Sequence, residues 1–159
     1  MSTPDQQADP TTATTDDATV AAVVRRFYEP FRTGDTSAYD EVLAPEWIDV
    51  PLAPGQEQGP GGMAGQIAAF RHAMPDYAVT HEDVIVQGDK VAVRNTVSGT
   101  HQGAFVGVQP TGRRIEMRTM DVHQVRDGKI VATWHLEDFA GLMAQLDAPA
   151  DAPTHRAWS

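Results

Sequence analysis

Near Tyr77 the spacing of apolar residues changes period, and that change restricts the chain to an α+β fold. Upstream, Val20, Val23, Val24, Phe27, Tyr28 and Phe31 recur at amphipathic-helix spacing, with Asp16 or Asp17 placed to cap the start and Gly34 to end it. A short helix around 38–43 stops at Pro45, and Trp47, Ile48 and Val50 read as a short strand. Pro51, Pro54, Gly55 and Gly59-Pro-Gly-Gly62 mark a loop before a third helix, Met63 to Met74, closed by Pro75. Downstream the period is two. It predicts strands at 77–87, 90–100, 113–126 and 129–137, with turns at Gly88-Asp89 and Asp127-Gly128 and a longer loop over 101–112. A short helix over 139–146 closes the domain. Helices first and antiparallel strands afterwards is an α+β order.

One domain accounts for 159 residues. Residues 1 to about 16 are Thr, Asp, Pro, Gln and Ala with almost nothing to bury, so they read as a disordered acidic tail. Residues 148–159 read as a flexible tail, and 17–147 as the folded part. The formal net charge of −10 argues against nucleic acid and against an anionic membrane surface, because both need clustered Lys and Arg. There are no cysteines, which removes disulfides, thiolate zinc sites, iron–sulfur clusters and a cysteine nucleophile together. The first residues have no basic start and no apolar run, and no stretch approaches the ~18 apolar residues of a membrane span. The expected location is the cytoplasm.

The chemistry concentrates on two strands. Alternation puts Thr119, Asp121 and His123 on one face of 113–126, and Thr133 and His135 on one face of 129–137. Whether Asp121 and His135 meet depends on parity. A two-residue Asp-Gly turn places Asp121 beside Trp134; a three-residue turn with Gly128 left-handed places it beside His135. The residues alone leave both open. On a shared pocket face the two form an acid/base couple that moves protons near neutral pH without metal or cofactor; otherwise they make a structural hydrogen bond. His101 lies at a strand end next to a glycine-rich loop, where pocket mouths often form. His72, His81 and His155 read as exposed, and Asp49 leans toward water. Asp121, His123, His135 and Asp138 could in principle offer a two-His-one-carboxylate set, but Asp121 and His123 are i and i+2 on a strand. With no H-E-x-x-H and no close His pair on a helix, no metal is expected. Gly59-Pro-Gly-Gly62 lacks the spacing and the lysine of a phosphate loop.

The run Gly99-Thr-His-Gln-Gly103, then Phe105, Gly107 and Pro110-Thr-Gly112, resembles the SnoaL-like polyketide cyclase family. So do Asp127-Gly-Lys-Ile130 followed by Trp134 and Asp138, together with Met74-Pro-Asp-Tyr77, Gly88-Asp89 and the closing Gly141-Leu-Met-Ala-Gln-Leu146. The resemblance covers residues from about 20 to 147. It implies a cone-shaped α+β barrel, a curved, mostly antiparallel sheet wrapped around N-terminal helices. It also implies that positions 121 and 135 both line its hydrophobic cavity, which favours the three-residue turn. Family members that close polyketide rings place an aspartate where His135 stands and a histidine where Asp121 stands, so the two residue types are exchanged here. A position often amide or acid in the family is Asp49, and a histidine frequent just after it is Val50.

The expected function is therefore a cofactor-independent cyclase or isomerase that closes a ring in a polyketide-like secondary metabolite. Asp121 and His135 would share the proton transfers. Asp49 and His101 would orient oxygens, with His123 and Asp138 also facing substrate. Phe31, Trp47, Phe70, Phe105 and Val125 would fold the chain against an apolar lining. The partner is an apolar small molecule, and a homodimer is implied by family analogy. Epoxide opening, cofactor-independent hydroxylation and a non-catalytic small-molecule binding module or interaction domain are the competing expectations. Labelled water, anaerobic assay, and a flat binding curve for apolar ligands together with a filled cavity, respectively, distinguish them.

Overall fold

The computed structural model describes residues 15–147. The expected tails lie outside the described residues, save for Thr15 and Asp16, which belong to the first helix. That helix, α1 (Thr15–Thr33), carries Asp16 and Asp17 inside its first turn, where they meet the positive end of the helix dipole, rather than ahead of it as a cap. Gly34 ends it with φ 79°, a left-handed conformation that suits glycine, and donates its N–H to Pro30 O at 2.7 Å. The short α2 (Tyr39–Val42) leads into β1 (Leu43–Val50), and α3 (Pro60–Ala73) follows the proline- and glycine-rich loop. Then come β2 (Ala78–Gln87), β3 (Lys90–Thr100), β4 (Arg114–Arg126), β5 (Lys129–Glu137) and α4 (Phe139–Asp147).

The five strands form one curved, open sheet in the order β1-β5-β4-β3-β2, with β1 parallel to β5 and every other pair antiparallel. Its inner face packs on α1, because Val91, Val93 and Val97 of β3 and Ile115, Met117 and Val125 of β4 face inward and α1 offers Val24, Phe27, Tyr28 and Phe31 to cover them. Phe27 sits at the centre of that contact, with the rings of Tyr28, Tyr39, Trp47 and His123 all within 6.1 Å, centroid to centroid.

Two irregularities aim the site. The β4–β5 turn is a two-residue hairpin: Asp127 and Gly128 have φ of 49° and 74°, and Arg126 pairs with Lys129. This corrects the three-residue turn. By itself it would set Asp121 against Trp134. The register shifts by one further along, where Val125 pairs with Ile130 but Gln124 pairs with Ala132. Val131 is the extra residue of a β-bulge, and beyond it Asp121 stands opposite His135. A second bulge in β2 falls between His81 and Asp83, so that His81 pairs with Asn95 and Asp83 with Arg94.

The 101–112 loop is tied to the end of α3, where the N–H groups of Gln102 and Gly103 both donate to Ala73 O at 2.8 and 2.9 Å. A Cβ on Gly103 would lie 2.5 Å from the His72 carbonyl oxygen, which is backbone and has little room to retreat. Gly103→Ala is expected to destabilise the fold by about 1–3 kcal/mol, the usual range for overpacking. A urea midpoint equal to that of the parent protein would show that the loop does not seat in this way.

Candidate active site

A cavity of about 430 Å³ opens between α1, α3 and the inner face of the sheet. One wall is aromatic: Phe31, Phe70 and Tyr77 stack with interplanar angles of 13–24°, and Phe105 meets Phe70 edge-on. The polar groups gather at the other end, where Asp49 of β1, Asp121 of β4, and His135 and Glu137 of β5 line the same space. Ligand atoms of Asp121, His135 and Glu137 all lie within 4.8 Å of one another.

Asp121 is 8% exposed, and its two oxygens have different tasks. Oδ2 accepts from Tyr28 Oη at 2.6 Å, Asn95 Nδ2 at 2.7 Å and Thr119 Oγ1 at 3.2 Å. Among the described residues no donor reaches Oδ1, which leaves that oxygen for whatever fills the cavity. Burial pushes the carboxyl up to about 6, with the nearby Glu137 adding to the shift. The Tyr28 and Thr119 hydroxyls and the His135 charge pull the other way without overcoming it.

The hydroxyl on Asp121 is itself held by a chain whose direction is forced. An ionised carboxylate only accepts, so the single Tyr28 proton points at Oδ2, and Tyr28 Oη must accept from His123 Nε2–H at 2.8 Å. His123 Nδ1 then accepts from Thr133 Oγ1 at 3.0 Å, and that oxygen accepts from Trp47 Nε1–H at 3.0 Å. An indole N–H can only donate. The chain therefore has a donor-only group at one end and an acceptor-only group at the other. Complete burial holds the His123 pKa down at about 3, so its ring stays neutral and can relay in this sense.

His135 sits between two carboxylates. Nδ1–H donates to Glu137 Oε1 at 2.5 Å. Nε2 lies 3.2 Å from Asp49 Oδ1, close enough for an ion pair but without the direction of a hydrogen bond. Burial alone would lower its pKa, but contact with Asp49 and Glu137 outweighs burial and raises it to about 10, so the ring is an imidazolium at neutral pH. Asp49 is held in turn by Gln56, whose Nε2 donates to Oδ2 at 2.7 Å.

Of the residues expected at the pocket, Asp121, His135, Asp49, Phe31, Phe70 and Phe105 line the cavity; Asp49 is 4% exposed rather than facing water. Five others do not line it. Trp47 and His123 lie behind the wall as parts of the relay, because their polar atoms are turned to Thr133 and Tyr28. Val125 is buried near the β4–β5 turn, beyond the polar cluster. His101 is wholly buried and accepts from Thr111 through Nδ1, since the loop folds back over it. Asp138 is exposed and caps α4 by accepting from Gly141 N–H at 2.8 Å. His81, expected to be exposed, is half-buried and joined to Asn95.

Four contributors went unassigned: Tyr28, Asn95, Thr119 and Glu137. Each had a faint signal. Asn95 is the lone polar residue at an inward position of Val91-Val93-Asn95-Val97, and Thr119 and Glu137 stand two places from Asp121 and His135 on the same faces. Among the described residues, Asp121, His135 and Glu137 are also close enough together to be considered for a cation. With the His135 pKa raised to about 10, a metal would have to displace a proton that two carboxylates retain.

Comparison with known proteins gives a consistent answer. A family model described as SnoaL-like polyketide cyclase matches residues 21–146. Aklanonic acid methyl ester cyclase AcmA of Streptomyces galilaeus is 30% identical over 137 residues, covering 85% of this chain and 95% of AcmA. The nogalonic acid methyl ester cyclase of Streptomyces nogalater is 31% identical over 121 residues, covering 75% of this chain and 90% of that protein. The solved structure of TsrD from Streptomyces laurentii superposes with a TM-score of 0.77 at 31% identity, over 86% of this chain and all of TsrD.

The imidazolium also carries a stability signature. A pKa raised from 6.5 to about 10 means that the folded state gains from His135 fully below pH 6.5 and loses that gain as pH rises through about 10. Thermal midpoints should fall across that window, and His135→Gln should flatten the fall. Parallel curves for the two proteins would show that His135 is not held as a cation.

Proposed function

Because the chain belongs to the SnoaL-like polyketide cyclase family, with the family model matching residues 21–146, we propose that it closes a carbocycle in a polyketide-like ester by intramolecular aldol addition. It is an enzyme of the SnoaL-like cyclase type, and its substrate class is a polyketide small molecule. One observation carries the assignment of roles: Asp121 has one oxygen saturated with donors and the other open to an apolar cavity, with an imidazolium within 4.8 Å.

In this reading Oδ1 of Asp121 removes a proton from a carbon flanked by carbonyl groups. The enolate carbon attacks a ketone in the same molecule, forming the new carbon–carbon bond. The resulting alkoxide takes a proton from His135, whose Nε2–H has no well-directed acceptor. Return of the proton from Asp121 to His135 resets the pair. No atom is gained or lost, so the reaction is an isomerisation that draws on neither metal nor cofactor. The aromatic wall supplies the orientation that makes an intramolecular attack fast.

The charge of the site bears on the substrate. Asp49, Asp121 and Glu137 share the polar end with one imidazolium, so a free carboxylate there would face uncompensated negative charge in an apolar enclosure. A methyl ester, the substrate form in the names of the two cyclase relatives, avoids that repulsion.

A base with a pKa of about 6 must be ionised and an acid with a pKa of about 10 must be protonated. Turnover of an aklanonic-type methyl ester should therefore rise through pH 6, hold, and fall near pH 10. Asp121→Asn should reduce kcat by about 10²–10⁴-fold, the usual contribution of general acid–base catalysis. Dialysis against EDTA should leave the rate intact. Full activity in Asp121→Asn, or a rate that returns only with added divalent ion, would overturn the assignment.

We also infer a homodimer through the outer face of the sheet. Val50 pairs with Trp134 and Trp134 with Val122, while Leu136 pairs with Met120; this joins five exposed apolar side chains into one band, with Leu136 74% and Met120 64% exposed. Sedimentation should give twice the chain mass, and Leu136→Glu together with Met120→Glu should halve it. A monomeric parent protein would dispose of the idea.

A further inference from the structure

His81 stands on β2, an edge strand separated from β4 by β3, yet its side chain is turned inward. Its Nδ1 lies 2.6 Å from Asn95 Oδ1, and its ring packs edge-on against Tyr28 with centroids 4.7 Å apart. The bulge that follows at Glu82 lets His81 and Val84 both face the core, pairing with the inward residues Asn95 and Val93. Bulges beside sites commonly re-aim a side chain in this way.

Asn95 is 1% exposed, and its amide is fully engaged. Its NH2 group donates to Asp121 Oδ2 at 2.7 Å and Thr119 Oγ1 at 3.1 Å, with a longer contact of 3.4 Å to Tyr28 Oη. A side-chain amide turned end for end has nearly the same shape, so chemistry decides its orientation. Turned over, Asn95 would set its carbonyl oxygen against a carboxylate oxygen, two acceptors at hydrogen-bond distance. The carboxylate therefore turns the amide carbonyl toward His81, and an acceptor 2.6 Å from Nδ1 requires that this nitrogen carry the proton, so the amide is gripped from both ends.

We propose that His81 is a positioning residue: through a proton on Nδ1 it holds the Asn95 amide with its NH2 group against Asp121, and so governs how readily that carboxylate carries charge. The proposal rests on Asp121 being the base of the reaction. The other groups that face Asp121 come from each packed element: Tyr28 from α1, Tyr77 from the turn after α3, Thr119 from β4, and His135 and Glu137 from β5. His123 stands behind Tyr28, and Asp49 of β1 acts through His135. None of these fixes the Asn95 amide from its carbonyl side.

The test reads Asp121 directly. In enzyme carrying carbon-13 at its aspartate carboxyls, the Asp121 resonance is identified by its loss in Asp121→Asn and followed through pH. His81→Phe keeps a ring against Tyr28 and removes the donor; His81→Gln keeps a donor. The midpoint should rise by about one pH unit in His81→Phe, as expected for weakening one hydrogen bond to a charged group, and return toward the parent value in His81→Gln. An unchanged midpoint in His81→Phe, or equal shifts in both variants, would overturn the proposal. A shifted midpoint with an unshifted acid limb of kcat/KM would uphold the role of His81 and instead remove Asp121 as the base.

Discussion

A strand shows successive side chains to opposite faces, so a register error of one residue turns every inward group outward. In this protein the hairpin between β4 and β5 closes tightly enough to set Asp121 beside Trp134, on the wrong side for chemistry. Val131 undoes that outcome by adding one unpaired residue to β5. Everything at the polar end of the cavity follows from this bulge: His135 and Glu137 face inward, Thr133 reaches His123, and Trp134 and Leu136 are left on the outer surface. The same bulge thus builds the inner site and exposes the outer apolar band.

Once the parity is set, electrostatics divides the labour. Burial disfavours charge on both Asp121 and His135, but their surroundings answer it differently. Three neutral donors meet Asp121, which leaves its carboxyl raised to about 6, still ionised at neutral pH yet basic enough to take a proton. Two carboxylates meet His135, which keeps its proton up to about 10. Pairs of titratable groups driven apart by their environments are how one pocket holds an acid and a base together. The donor chain shows how far that tuning reaches, since the Asp121 carboxylate, by claiming the Tyr28 proton, dictates which nitrogen of His123 carries hydrogen.

The order of elements was legible in the sequence because it rests on periodicity and turn residues: the strands from β2 to β5 differ from the expected bounds by at most one residue. The Asp121–His135 pair was legible only through family resemblance. Composition does not mark a bulge at Val131, an ordinary β-branched residue in a run of apolar neighbours. The failures at Trp47, His101, His123 and Asp138 have one cause. Residue type shows that a side chain can donate or accept, but not where its partner lies, and each of these four finds a partner away from the cavity. The helical spacing puts Tyr28 on the apolar stripe of α1, and it is buried there; its hydroxyl matters because the helix carries it to within 2.6 Å of Asp121.

The exchange of aspartate and histidine relative to the pattern the resemblance implies now has a physical reading. A carboxylate at position 135 would lie between Asp49 and Glu137, three acidic groups at close range, which disfavours its ionised form. An imidazole at position 121 would meet the Tyr28 hydroxyl and the Asn95 amide, both now turned to donate, and no counter-charge nearer than position 135. The polar groups of β1, β3 and α1 are therefore matched to the arrangement present, carboxylate on β4 and imidazole on β5. In the proposed reaction the carboxylate on β4 stands on the α1 side of the cavity and the imidazolium on β5 on the Asp49 side, so the exchange sets the two proton-bearing groups on different walls.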